Sequence, residues 1–122
     1  MDRQAEKRGM TATGYLTALL LTLILETAVA CALGLKSRTE LIAVVGANLA
    51  SHPIVYWGAL FLGGFHPLGA IVFVEAFAVF AEAGMLKFAL PGRKAAELFL
   101  ISLLMNAASF IAGAAFLWSS QP

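Results

Sequence analysis

The sequence predicts an all-α membrane protein whose four transmembrane helices form two tandem-repeat helical hairpins. Three observations carry that expectation. First, 61% of the 122 residues are hydrophobic and 12% are charged, whereas a soluble domain averages roughly 45–50% apolar and about 25% charged residues. Second, the eight Lys and Arg residues fall in three clusters: Arg3, Lys7 and Arg8; Lys36 and Arg38; Lys87, Arg93 and Lys94. The stretches between them are apolar and near the ~20 residues that cross a ~30 Å hydrocarbon core. Third, a polar motif in the first half of the chain recurs in the second.

The helices follow in order. After an N-terminal tail, 1–12, the first is expected over Thr13–Leu35. It is too long for the apolar core of a signal peptide and three more spans follow, so it reads as retained. Lys36-Ser37-Arg38-Thr39-Glu40 is a short charged turn in which Ser37 or Thr39 can cap the second helix, Leu41–Leu62. The Gly63-Gly64-Phe65-His66-Pro67 stretch is a loop that no helix continues through unbroken. The third helix, Leu68–Leu90, ends at Pro91-Gly92-Arg93-Lys94, and the fourth covers Ala95–Trp118. Residues 13–62 and 68–118 are then two hairpins of a single integral membrane domain, 1–122. A soluble bundle would carry a polar stripe on every helix; the first, third and fourth have none wide enough.

The same composition excludes a disordered tail and a nucleic-acid-binding module, and the net charge of +1 gives no acidic polymer as partner. Cys31 is the single cysteine, so no intrachain disulfide exists; it reads as a packed thiol. The expected partner is the lipid bilayer, with Tyr15, Trp57 and Trp118 as interface anchors. Loops 36–40 and 87–94 share one side. Counting charges in short loops places them in the cytoplasm of a cell (inner) membrane, with both termini outside; the basic tail pulls the other way. Four short helices enclose little volume, so a translocation path is expected to need a homodimer or a larger membrane complex.

The repeat rests on polar residues. Asn48-Leu49-Ala50-Ser51 matches Asn106-Ala107-Ala108-Ser109, and upstream Glu26-Thr27-Ala28 matches Glu82-Ala83-Gly84. A two-span unit repeated in tandem returns in the same orientation. The halves are therefore expected to be related by a pseudo-twofold axis along the membrane normal.

Glu26, Glu75 and Glu82 sit inside predicted spans, and no Lys or Arg is similarly deep. A charge at a helix centre costs about 2.5–3.5 kcal/mol on insertion scales. Such groups must face one another, a water-filled cavity or a bound ion. Counting inward from the basic loops at about 1.5 Å per residue puts Glu26, Asn48, His52, Glu82 and Asn106 in one layer roughly 10–17 Å deep, with Ser102 in or near it. Glu75 and Ser109 fall deeper, at roughly 21–22 Å. Asn48 and His52 share a face of the second helix; Ser102, Asn106 and Ser109 share a face of the fourth. Small residues beside these stripes permit close helix approach.

The candidate ligand- or ion-binding set is therefore Glu26, Asn48, His52, Glu75, Glu82, Asn106 and Ser109. Carboxylates with an imidazole suit a divalent metal ion, for which Glu26, His52 and Glu82 are the expected ligands. Neither His-Glu-x-x-His nor the paired Glu-x-x-His of di-iron bundles is present. The same carboxyl groups can instead take up and release protons, giving a proton-coupled transporter. Two other readings stand beside cation binding: an intramembrane metal-dependent enzyme, and an accessory subunit whose polar stripe docks on a larger complex. A Ser51–His52 nucleophile pair is poor, because adjacent residues diverge by about 100° on a helix. The plainer reading of Asn48, Asn106 and the serines is interhelical hydrogen bonding; His66 is a loop residue.

Overall fold

Gly34 decides where the first helix stops. Its φ of 112° lies in the left-handed region that L-residues with a Cβ avoid. The chain turns there in a Schellman arrangement: Gly34 N–H donates to Cys31 O at 3.2 Å and Leu35 N–H to Ala30 O at 2.9 Å. Leu35, expected as the last helical residue, instead leaves the helix and is fully buried beneath it. The computed structural model describes residues 3–64 and 66–119, with side chains over 14–64, 66 and 68–115. In it α1 runs Arg3–Ala32, α2 Arg38–Gly63, α3 Pro67–Ala89 and α4 Ala95–Ser119.

All four helices are long and apolar enough to cross a membrane, over Gly14–Ala32, Arg38–Gly63, Leu68–Ala89 and Ala95–Ala115. The helix starts differ from the expectation where capping wins. α1 begins at Arg3 rather than Thr13, since Gln4, Ala5, Glu6, Lys7 and Arg8 are all good helix formers. α2 begins at Arg38 because Ser37 closes a capping box with Glu40: Glu40 N–H donates to Ser37 Oγ, and Ser37 N–H to Glu40 Oε1. α3 begins at Pro67, in the first helical turn where a missing N–H is harmless, and His66 Nδ1 accepts from Gly69 N–H at 2.8 Å. Pro53 lies inside α2, which continues past it to Gly63.

The helices form a ring. α1 packs against α2 and α4, and α3 against α2 and α4; among the described residues neither diagonal pair is in contact. One end of the ring is closed by apolar packing. Ala30, Leu35, Val44, Ala47, Leu86, Leu90, Leu98, Ile101 and Met105 form a single buried cluster with the basic loops above it. Arg93 then ties those loops together. Its guanidinium pairs with Glu40 Oε2 at 2.5 Å and Glu97 Oε1 at 2.7 Å, and donates to Gly34 O at 3.0 Å. Glu40 foremost, then Glu97, hold the guanidinium above its usual pKa range, so it is charged at every working pH. Lys87 Nζ caps the end of α3, donating to the carbonyls of Pro91 and Arg93.

The other end is built differently. Between Gly14 and Leu25 no residue of α1 is buried, nor is any of α4 between Ala107 and Ala115. The outer surface is apolar, with Phe61, Leu68 and Phe88 among the most exposed side chains, as lipid contact requires. The side chain of Trp118 lies outside the described residues. Trp57 is 54% exposed, whereas Tyr15 turns inward onto His52, their rings 5.3 Å apart.

Candidate functional site

Below the apolar cluster, each of the two most deeply buried glutamates meets a serine from the other hairpin. Ser51 Oγ on α2 donates to Glu82 Oε1 on α3 at 2.7 Å. Ser109 Oγ on α4 donates to Glu26 Oε1 on α1 at 2.7 Å. The local bonding of the two Asn-x-Ala-Ser segments is the same. Asn48 Nδ2 donates to Val44 O and Asn106 Nδ2 to Ser102 O, each one turn back. Ser51 and Ser109 also reach the carbonyls of Asn48 and Asn106. Ser102 Oγ ties α4 to α3 through Val79 O at 2.8 Å.

The segments differ in how the asparagine meets the glutamate. Asn106 Nδ2 also donates to Glu82 Oε2 at 2.7 Å, so both oxygens of Glu82 are satisfied. Asn48 lies alongside Glu26, yet Glu26 Oε2 is buried without a hydrogen-bond partner, as are Asn48 Oδ1 and His52 Nδ1. Buried polar atoms are nearly always paired. Three unpaired ones in neighbouring side chains are a local feature of this site.

All three residues line one cavity of about 230 Å³. Its wall also carries Glu75, Glu82, Asn106 and Ser109, so the whole sequence-derived candidate set faces one space. The cavity begins at the polar layer and continues along Val55, Tyr56, Ala59, Ile71 and Val74, toward the Gly63–Pro67 end. Three carboxyl groups and one imidazole line it, with no Lys or Arg among the described lining residues. Glu26 and Glu82 are 1% and 2% exposed, and Glu75 is half-buried. Among the described residues no three His, Cys, Asp or Glu side chains are grouped closely enough to hold a metal ion between them. Glu26, His52 and Glu82 thus share a cavity without forming a preassembled ligand cluster.

Depth counting misplaces one residue. It sets Ser109 with Glu75, well below Glu26, but the two side chains are bonded. Side chains lean toward the N-terminus of their own helix. α1 ends at the basic loops and α4 begins there, so Glu26 leans down and Ser109 leans up until they meet. Sequence reasoning also missed the role of Arg93, and it gave His66 no structural task. The His66-Pro67-Leu68-Gly69 order, a hydrogen-bonding residue before proline, was the available signal for that cap. The ring cluster of Tyr15, His52, Tyr56 and Trp57 depends on α1–α2 pairing, and no spacing announces it.

The chain matches no protein-family profile, no curated protein and no solved structure, so its reading rests on this geometry.

Proposed function

We propose that the layer around Glu26 and Glu82 is a cation-binding site in a small polytopic membrane protein. One observation carries the proposal: a carboxyl group 1% exposed, with one oxygen unpaired, in a cavity with no Lys or Arg among its described lining residues. Moving a carboxylate out of water costs several kcal/mol even after relaxation. A hydrogen bond to a charged group returns about 1.5–3 kcal/mol. Glu82 receives two such bonds and comes close to balance. Glu26 receives one and does not, so it needs a proton or a cation. The first candidate is a proton, which serves proton-coupled transport. A divalent metal ion held by Glu26, His52 and Glu82 is the second. Unpaired His52 Nδ1 and Glu26 Oε2 in one cavity favour it, although binding would have to draw the ligands together.

Matching bonds around Ser51 and Ser109 support the tandem-repeat reading, with a pseudo-twofold axis through the ring relating α1 to α3 and α2 to α4. A buried glutamate in each hairpin, both lining one cavity, suits transport better than an enzyme's asymmetric nucleophile. The inward facing of the candidate set argues against an accessory subunit that docks through its polar stripe. In this reading the basic loops face the cytoplasm, and a homodimer completes the path.

The test is infrared difference spectroscopy of the purified chain during pH change, paired with elemental analysis for metals. Glu26→Gln keeps shape while removing charge. The proposal expects a protonated-carboxyl band, or bound metal, that Glu26→Gln and Glu82→Gln each diminish while the helical content holds. If both variants retain full proton uptake and full metal content, the layer is structural only.

A further inference from the structure

We infer that the cavity takes the primary ammonium group of a small amine, held by Glu26 Oε2, Asn48 Oδ1 and His52 Nδ1. The inference rests on the cation-site reading above and names the ligand class. All three atoms are buried and unpaired, in residues 1%, 1% and 9% exposed, and all three residues line the same cavity. Each can accept: a carboxylate oxygen, an amide oxygen, and the imidazole nitrogen left bare when the proton sits on Nε2. An alkylammonium offers the complement, three N–H donors and no acceptor.

Two of the acceptors come from one face of one helix. Asn48 and His52 are i,i+4 on α2, with Cβ atoms about 5–6 Å apart, and the proposed nitrogen lodges between their side chains. Glu26 supplies the third bond and the countercharge from the neighbouring α1. Glu82 is already satisfied by Ser51 and Asn106, so it sets the field without being a ligand.

The walls define the rest of the molecule. Val55, Ile71 and Val74 with Tyr56 continue from the acceptors toward the Gly63–Pro67 end, giving an apolar sleeve for an alkyl chain and a ring for the cation to approach. At about 230 Å³ the cavity is smaller than the roughly 300–1,000 Å³ of sites for drug-sized ligands. The size suits an amine of a few carbons.

Calorimetric titration of the purified chain with n-butylammonium and with n-butyltrimethylammonium tests this directly. The two share tail and charge, and only the first has N–H donors. The expected result is binding of n-butylammonium at least tenfold tighter than its trimethyl analogue, with at least tenfold loss in Asn48→Leu and in Glu26→Gln. The comparison of the two compounds needs no variant, so a misfolded Asn48→Leu does not weaken it. Equal affinity for both compounds overturns the inference, because the site then reads charge and bulk alone. If neither amine binds but manganese ion or proton uptake depends on Glu26, the amine class is wrong while the cation site stands. If nothing binds in a Glu26-dependent way, both fall.

Discussion

The two ends of this bundle are made from the same helices and differ in almost everything else. Toward the basic loops, α1 through α4 each contribute to one apolar cluster, and Arg93 bridges Glu40, Glu97 and the carbonyl of Gly34 above it. Toward Gly63–Pro67 the buried residues of α1 and α4 run out and a cavity takes their place. The polar layer lies at the boundary. Its position gives the layer a dry, packed wall on one side and an approach on the other. A carboxyl in the middle of a uniformly packed bundle would have no route to a ligand; one at an open end would be solvated and would need none.

The largest effect should come from the packed end. Met105→Ala, at a fully buried position, is expected to lose about 2–5 kcal/mol, the usual range for deleting a large core side chain. Ile71→Ala, on the cavity wall and 38% exposed, should lose less than about 1 kcal/mol. Equal losses in denaturant titrations in mixed micelles would erase the distinction between the ends.

A smaller effect sharpens the boundary itself. Ser109→Ala removes the bond to Glu26 Oε1 and Ser51→Ala removes the bond to Glu82 Oε1. Each leaves a buried acceptor unpaired, at about 1–3 kcal/mol. Both should alter cation or proton binding, Ser109→Ala the more strongly, because Glu26 loses its one bond whereas Glu82 keeps Asn106. Identical binding changes in the two variants would show that the glutamates are equivalent and that the open Oε2 of Glu26 has no consequence.

The smallest effect belongs to the clasp. Arg93→Gln should lower stability less than either serine variant, and the difference should fade as salt is raised, since its ion pairs are partly exposed and screened. The arginine stays charged, so pH acts through Glu40, whose carboxyl is held below its usual range by Ser37 foremost and by Arg93. The contribution is present at neutral pH and is lost as pH falls through that lowered range. A loss that survives high salt would mean that the clasp holds the closed end by packing instead of charge.

Much of this was legible in the sequence because the relevant signals are local. Apolar run lengths with Gly and Pro breaks locate the helices, and the cost of Glu26, Glu75 and Glu82 in lipid requires that they face inward. All seven candidate residues line one cavity. What sequence could not supply came from the third dimension. The lean of side chains along antiparallel helices joins Ser109 to Glu26 against the depth count. Arg93 finds Glu40 and Gly34 only because two loops distant in the chain share an end. The left-handed turn at Gly34, which shortens α1 by three residues relative to Leu35, was readable from the glycine alone.

Two alanines test the central claim most directly. Ala78 and Ala47 are 2% and 4% exposed, so ordinary burial does not separate them. Ala78 lines the cavity, one turn from Glu82, whereas Ala47 belongs to the apolar cluster. Each is changed to Cys in a Cys31→Ser background, and a small water-soluble methanethiosulfonate reagent is applied to reconstituted vesicles. The layer at the boundary of an open and a closed end predicts that Ala78→Cys reacts at least tenfold faster than Ala47→Cys, from the Gly63–Pro67 side. Equal rates, or faster reaction at Ala47→Cys, would contradict it.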